Sequence, residues 1–366
     1  MRKFGIITHY DVHNHGALLQ LTALKRVLAT KGIEAKALRF DKNYDFLGPE
    51  LKAKYDISVR SVGIYARYMM ERGAGITLYN VRKKRTLERF KAEAELVGDY
   101  YSRAEGLEGV VVGSDEVFAL HTGPTPVFFG HSLPTESVIA YAGSFGPTTA
   151  EDVRQLHCEA LVSSGLRGMK AVSVRDENSV KAVRALTGED VPKVVDPVLL
   201  YGYEKEIAAL PKVAEKPYLL VYAYDNRMNS PEEVKAVKDY AAKRGLKVVS
   251  AGFYHKWCDR NVNVDPIGLL AWFRDAAEVV TDTFHGSVMS IITGARVAVK
   301  TRESNHLKLS NLMREYGMTE RIFTEWGALE ETMARPMDNI NIAGQVERRR
   351  AESMGVLEEM LKLCER

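Results

Sequence analysis

The sequence predicts an α/β fold of two doubly wound domains in series, facing each other across a cleft. Three observations predict it. Apolar runs of strand length alternate with segments of helical period in both halves of the chain, a pattern that builds parallel sheets covered by helices. A stretch carrying three prolines, residues 193–217, interrupts that alternation. The 366 residues also exceed one ordinary core, at roughly 100–200 residues per domain. The expected domains are 1–200 and 215–338, with 339–366 as a C-terminal helix.

The first domain opens on KFGIITHY, extended and apolar, followed by the polar turn HNHG. Ala17, Leu18, Leu21, Leu24 and Leu28 then fall at helical spacing until Gly32 stops the helix, and EAKALRF resumes as a strand. Residues 42–106 are Tyr-rich and basic, with a helix expected between about 76 and 97 and no legible role. GVVVGSDE, SVIAYAGSFG and AVSVRDENS then repeat one form, an apolar run ending in small and polar residues. Such strands deliver polar groups at their carboxyl ends, the edge where open α/β sheets bind ligands. Beyond 217 the alternation restarts with YLLVYAYD, LKVVSAG, EVVTDT and ARVAVK as strands. PEEVKAVKDYAAKRG, IGLLAWFRDA and GSVMSIITG are the intervening helices. Val346, Met354, Leu357, Met360 and Leu361 are the apolar members of the last helix, which is expected to pack across both domains.

Composition narrows the function classes. With 46% hydrophobic and 27% charged residues the chain has the balance of a soluble globular protein. No run approaches the roughly 20 apolar residues of a membrane helix, and the N-terminus reads as a strand, not a signal peptide. Cys158, Cys258 and Cys364 lack metal or redox spacing, which fits a reduced, cytoplasmic setting. A net charge of +3 demands no anionic partner. The basic runs Arg82-Lys83-Lys84-Arg85 and Arg348-Arg349-Arg350 read first as solvated helix faces, and no nucleic-acid partner is expected. P-loop, G-x-S-x-G, H-E-x-x-H and G-x-G-x-x-G patterns in the right context are missing.

The candidate chemistry lies in five loops. In TDTFHG, Thr283 precedes a helix opened by Gly286 and Ser287, so free N–H groups can face an anion. His285 there is a candidate acid, base or anion donor, or else a packed histidine. Arg175, at the end of AVSVRD, can fork onto a carboxylate or phosphate, or pair on the surface with Asp176 or Glu177. Ser114 and Asp115 end a strand, where Asp115 can accept from sugar hydroxyls or either residue can cap a helix. Asn14, His15 and Gly16 repeat the TDTFHG geometry in the first domain, as a site or an ordinary turn, and Ser144 lies in a further loop of that kind.

In order, N14-H-G-A-L-L-Q20, V-G-S-D-E-V-F at 112–118, Y-A-G-S-F-G at 141–146, S-V-R-D at 173–176, V-D-P-V-L-L at 195–200 and T-D-T-F-H-G at 281–286 resemble the polysaccharide pyruvyl transferase family. The resemblance spans roughly residues 4–300. It implies a GT-B-like fold of two Rossmann-like domains, with the C-terminal helix returning to the first. It also implies transfer of the enolpyruvyl group of phosphoenolpyruvate onto two hydroxyls of a saccharide acceptor, which can be lipid-linked at the inner face of the membrane. On that resemblance Arg175 and His285 are the catalytic pair, and Thr283, Gly286, Ser287 and Arg302 hold the donor. Asn14, His15, Gly16, Ser114, Asp115 and Ser144 line the acceptor wall, and no metal or cofactor is required. Studied members carry R-L-H-G where this chain has Thr283-Phe284-His285-Gly286, and Arg302 and Lys300 just downstream are the candidates to substitute for the absent arginine. A nucleotide-sugar glycosyltransferase and a non-catalytic glycan- or phosphate-binding relative are the competing readings.

Overall fold

The computed structural model describes residues 2–41, 73–215 and 217–365; much of the stretch for which no role was legible, residues 42–72, lies outside them. The first sheet contains β1 (Arg2–Ile7), β2 (Ile33–Arg39), β3 (Val97–Tyr100), β4 (Gly109–Val112), β5 (Val138–Gly143) and β6 (Ala171–Val174). The second contains β7 (Tyr218–Tyr222), β8 (Lys247–Ala251), β9 (Arg260–Val262), β10 (Glu278–Thr281), β11 (Val297–Lys300) and β12 (Ile322–Phe323). Every pairing is parallel, in the orders β3-β2-β1-β4-β5-β6 and β12-β11-β10-β7-β8-β9. Both are the 3-2-1-4-5-6 order of a Rossmann domain, and ligands of such sheets bind where the order reverses. Those switch points lie between β1 and β4 and between β7 and β10.

Helices cover both faces of each sheet, so the central strands are buried on both sides and read as unbroken apolar runs such as GVVV and YLLVY. The edge strands were less legible. β9 (RNV) and β12 (IF) are too short and too mixed to carry a period-2 signal. The helix expected to reach residue 97 ends at Glu93, because Glu95 turns the chain at φ 46° and Val97 begins β3. The proline-bearing connection folds into two short helices, Pro197–Tyr201 and Glu204–Ala209.

One apolar cluster runs through both domains, joining Ile6, Leu18 and Leu24 to Leu270, Val288 and Met289. Helix His15–Thr30 lies within it, buried at every position from His15 to Leu24. The last helix, Asn339–Leu363, crosses back over this cluster. Its Arg349 pairs with Glu315 at 2.5 Å, its Ser353 Oγ accepts from the Val195 N–H at 3.0 Å, and Glu365 beyond its end meets Arg2 at 2.9 Å. Among the described residues no helix is long and apolar enough to cross a membrane, and no cluster of three His, Cys, Asp or Glu side chains could hold a metal. Leu357 is fully buried under this helix, whereas Ile340 is 88% exposed. Leu357→Ala should therefore cost about 2–5 kcal/mol in urea unfolding followed by circular dichroism. Ile340→Ala should stay within about 0.5 kcal/mol of wild type.

Candidate functional site

The loops after β1, β4, β7 and β10 meet at the two switch points. After β10, Thr283 caps helix Phe284–Thr293, its Oγ1 accepting the Gly286 N–H at 2.9 Å. The Ser287 N–H donates to the Thr283 carbonyl, and so does the Ser287 hydroxyl, each at 3.1 Å. Gly286 and Ser287, expected to offer free donors, therefore have theirs occupied. Gly286 is required for packing, since a Cβ there would lie 2.1 Å from Thr281 Oγ1. The first-turn N–H groups of Phe284 and His285 have no partner among the described residues, and these are the open donors of the turn. His285 is buried, with its Nε2 unpartnered and 3.7 Å from Asp196 Oδ2, beyond hydrogen-bond reach.

The matching loop of the first domain lies directly against it. Asn14 caps helix His15–Thr30 through Oδ1, which accepts the Gly16 N–H at 2.9 Å, and its Nδ2 donates to Tyr224 Oη at 3.4 Å. A Cβ on Gly16 would fall 2.3 Å from His285 Cγ, so only glycine lets the two loops touch. His15 does not face an acceptor. Its ring is fully buried in the seam between the domains, with Nε2 2.8 Å from the Val264 carbonyl. Burial, helped by the charge of Lys83, pulls its pKa down to about 3, so the imidazole is neutral at physiological pH.

Behind His285 sits a buried ionic bridge. The two terminal nitrogens of Arg175 donate to Asp115 Oδ1 and Asp196 Oδ2, each at 2.8 Å, and its guanidinium lies 4.5 Å from the Phe284 ring centroid. The expected direct clamp on a donor anion, and the alternative pair with Asp176 or Glu177, both give way to this bridge. Burial pushes both carboxyls up, but Arg175 and His285 outweigh it and hold Asp115 and Asp196 below the usual carboxylate range. Asp196 also caps helix Pro197–Tyr201, accepting the Val198 N–H at 3.0 Å. It was missed as a site residue although V-D-P stood among the motifs; Asp before Pro at a helix start was its signal.

Ser114 and Ser144 are structural. Ser114 is sealed, its hydroxyl donating to the Ala142 carbonyl at 2.8 Å while its N–H donates to Gln20 Oε1 at 3.2 Å. Ser144 donates to Asp176 Oδ2 at 2.6 Å, and Asp176 caps the helix that follows. Neither hydroxyl is left for an acceptor sugar. Asp115 keeps an exposed edge, at 18% of its side chain.

The second domain adds cations around Asp282. Arg302 Nε donates to Asp282 Oδ2 at 2.9 Å and its Nη2 to Glu233 at 2.6 Å. Arg227, which sequence reading missed because it lies in an irregular loop after β7, donates to the Asp282 carbonyl at 3.3 Å. Lys300 turns away, donating to the Thr301 carbonyl at 2.9 Å. Two guanidinium groups thus stand one residue from Thr283, the position at which an arginine is lacking.

The sequence profile of the polysaccharide pyruvyl transferases matches residues 14–304. The chain belongs to the polysaccharide pyruvyl transferase family. The match takes in both loop pairs described above, and it makes the protein a transferase. No curated protein matches the sequence significantly. Among solved structures, Staphylococcus aureus MnaA bound to UDP superposes at a TM-score of 0.52 with 12% identity, over 99% of this chain and 98% of that one. Arabidopsis thaliana UGT89C1 bound to UDP-L-rhamnose superposes at 0.51 with 10% identity, over 99% of each chain. At such identity the likeness extends to the fold, two Rossmann-like domains in the GT-B arrangement.

The Gly16–His285 contact is directly testable. Gly16→Ala should overpack the seam and cost about 1–3 kcal/mol in urea unfolding. Gly344→Ala, on the last helix with nothing within 4 Å of its added methyl, should gain about 0.5–1 kcal/mol.

Proposed function

We propose that this pyruvyl transferase family member takes the enolpyruvyl group from phosphoenolpyruvate and places it on two hydroxyls of a sugar in a cell-surface polysaccharide or its precursor. The products are a pyruvate ketal and phosphate. Two C–O bonds form at C2 of the enolpyruvyl group and its bond to phosphate oxygen breaks. One acceptor proton ends on the methylene carbon, which becomes a methyl group, and the other leaves with phosphate or solvent. The acceptor can be lipid-linked, with the protein working on the cytoplasmic side of the membrane.

One observation carries this reading. His285 is buried with an unpartnered Nε2, beside two open N–H groups at the start of a ten-residue helix. A proton-transfer group next to an anion-holding turn is what protonation of the methylene and departure of phosphate require. Asp196, 3.7 Å from Nε2, offers an imidazolium its counter-charge. Arg175 acts through the two carboxylates it fixes, and Asp115 presents its exposed edge to the acceptor hydroxyls. Arg227 and Arg302 supply the positive charge that the family's arginine provides elsewhere.

The test is acceptor-dependent release of phosphate from phosphoenolpyruvate, with UDP-sugars as rival donors. His285→Ala should lower kcat by about 10²–10⁴-fold. Arg227→Ala should weaken donor binding by about tenfold, the worth of one charge-assisted hydrogen bond. A near-wild-type rate in His285→Ala overturns the assignment, and turnover of a UDP-sugar alone makes the protein a glycosyltransferase.

A further inference from the structure

Lys83 lies on the buried stripe of helix Ala74–Glu93, in register with Ile76, Tyr79, Leu87 and Phe90, and is only 4% exposed. The helix belongs to the first domain but packs on the second. Tyr79 Oη donates to the Val262 carbonyl at 2.9 Å, and Asn263 Nδ2 donates to Thr86 Oγ1 at 2.8 Å. Between these anchors the Lys83 ammonium reaches the face of Phe253, 4.0 Å from the ring centroid. It hydrogen-bonds to none of the described residues.

The surroundings place this ammonium beside the cleft. Phe253 stands edge-on to Tyr224 at 5.3 Å, and Tyr224 Oη accepts from Asn14. The His15 ring is 6.5 Å from Phe253 on the first-domain side. The charged and titratable groups acting on or with Lys83 are Asp225 from the β7 loop and His13 and His15 from the β1 loop, while Tyr79 on its own helix feels Asp225 as well. Asp225 forms no hydrogen bond or ion pair with Lys83; its Oδ1 accepts the Tyr254 N–H at 2.8 Å. Among the described residues the ammonium has the Phe253 face beside it and no hydrogen-bond acceptor, so its three N–H donors are open to an acceptor brought by a ligand.

We propose that Lys83 is an anion-binding residue of the cleft, taking a phosphate or carboxylate group of a ligand seated at Lys83 against the outer side of the β1 and β8 loops. The inference rests on reading the cleft as the ligand site, and it is independent of which donor is used. Burial pulls the Lys83 amine down to about 8, with Asp225 opposing. The free protein therefore carries this charge below pH 8 and loses it above, so anion affinity falls as pH rises.

The experiment is isothermal titration calorimetry of the full chain with phosphoenolpyruvate, glucose 1-phosphate and inorganic phosphate at pH 7 and pH 9. Wild type, Lys83→Met and Lys83→Arg are compared, with Arg82→Met as the exposed control. At least one anion should bind wild type, more weakly at pH 9 by about tenfold. Lys83→Met should lose tenfold or more at pH 7, Lys83→Arg should bind with little pH dependence, and Arg82→Met should match wild type. Should Lys83→Met fail to fold, the flattened profile of Lys83→Arg decides. Dependence of phosphoenolpyruvate binding on Lys83 assigns the donor, and dependence of glucose 1-phosphate an acceptor group. If glucose 1-phosphate needs Lys83 while phosphoenolpyruvate neither binds nor reacts, the inference stands and the proposed donor falls. Unchanged binding and phosphoenolpyruvate turnover in Lys83→Met overturn the inference and leave the donor standing; so does an absence of anion binding in wild type overturn it.

Discussion

A guanidinium with 1% of its side chain exposed cannot stand without counter-charge, and Arg175 takes its two partners from distant parts of the chain. Asp115 follows β4, Asp196 lies in the connection to the second domain, and Arg175 itself ends β6. One cation therefore fixes the ends of two strands and the connection together. Replacing such a bridge by apolar residues is often neutral or stabilising, so its worth is positional. It sets Asp196 3.7 Å from His285 and keeps Asp115 at the cleft edge. The pH sign agrees with a structural role. Both carboxyls sit below their usual range in the folded protein, so the stability they give is complete above the ordinary carboxylate pKa. It is lost only as pH falls through the depressed values, and the bridge stays charged across the range in which a histidine titrates.

The second constraint is the contact of Gly16 with His285. Two loops from different domains, each following a central strand at a switch point, approach so closely that one residue must lack a side chain. Helix His15–Thr30 lies in the same apolar cluster as helix Phe284–Thr293, so the contact is set by continuous packing. Packed interiors resist small displacements. The His285 ring packs against Gly16 in that seam, and its Nε2 is left without a hydrogen bond.

Much of this was legible in the sequence, for physical reasons. Parallel strands buried on both faces leave unbroken apolar runs, and their ends must carry the polar residues that build a site; hence His285, Gly16, Asp115 and Arg175 stood out. What one chain segment cannot show is its partner. Ser114 and Ser144 looked like acceptor contacts, yet their hydroxyls are taken by Ala142 in β5 and Asp176 after β6. His15 repeated the position of His285 by motif, but the seam buries it neutral. Arg227 carried no signal, because an irregular loop has no period. Lys83 was read with Arg82, Lys84 and Arg85 as a solvated helix face, yet the structure buries it. It falls on the stripe of Ile76, Tyr79, Leu87 and Phe90, and a lysine at a buried helical position differs from its exposed neighbours Arg82 and Lys84.

Threonine at 283, where the family motif has arginine, changes what this turn offers. An arginine there would bring charge but could not cap the helix, whereas threonine accepts the Gly286 N–H and leaves those of Phe284 and His285 open. Charge acts over distance and can come from any residue that reaches the spot. Arg227 and Arg302 reach it from the loops after β7 and β11, converging on Asp282 at the foot of the same turn. Burial raises the Asp282 carboxyl while Arg227 and Arg302 oppose that rise. An anion arriving at the turn would compete with a carboxylate that burial already disfavours in its charged form. Asp282 holds both arginines beside the open N–H groups of Phe284 and His285.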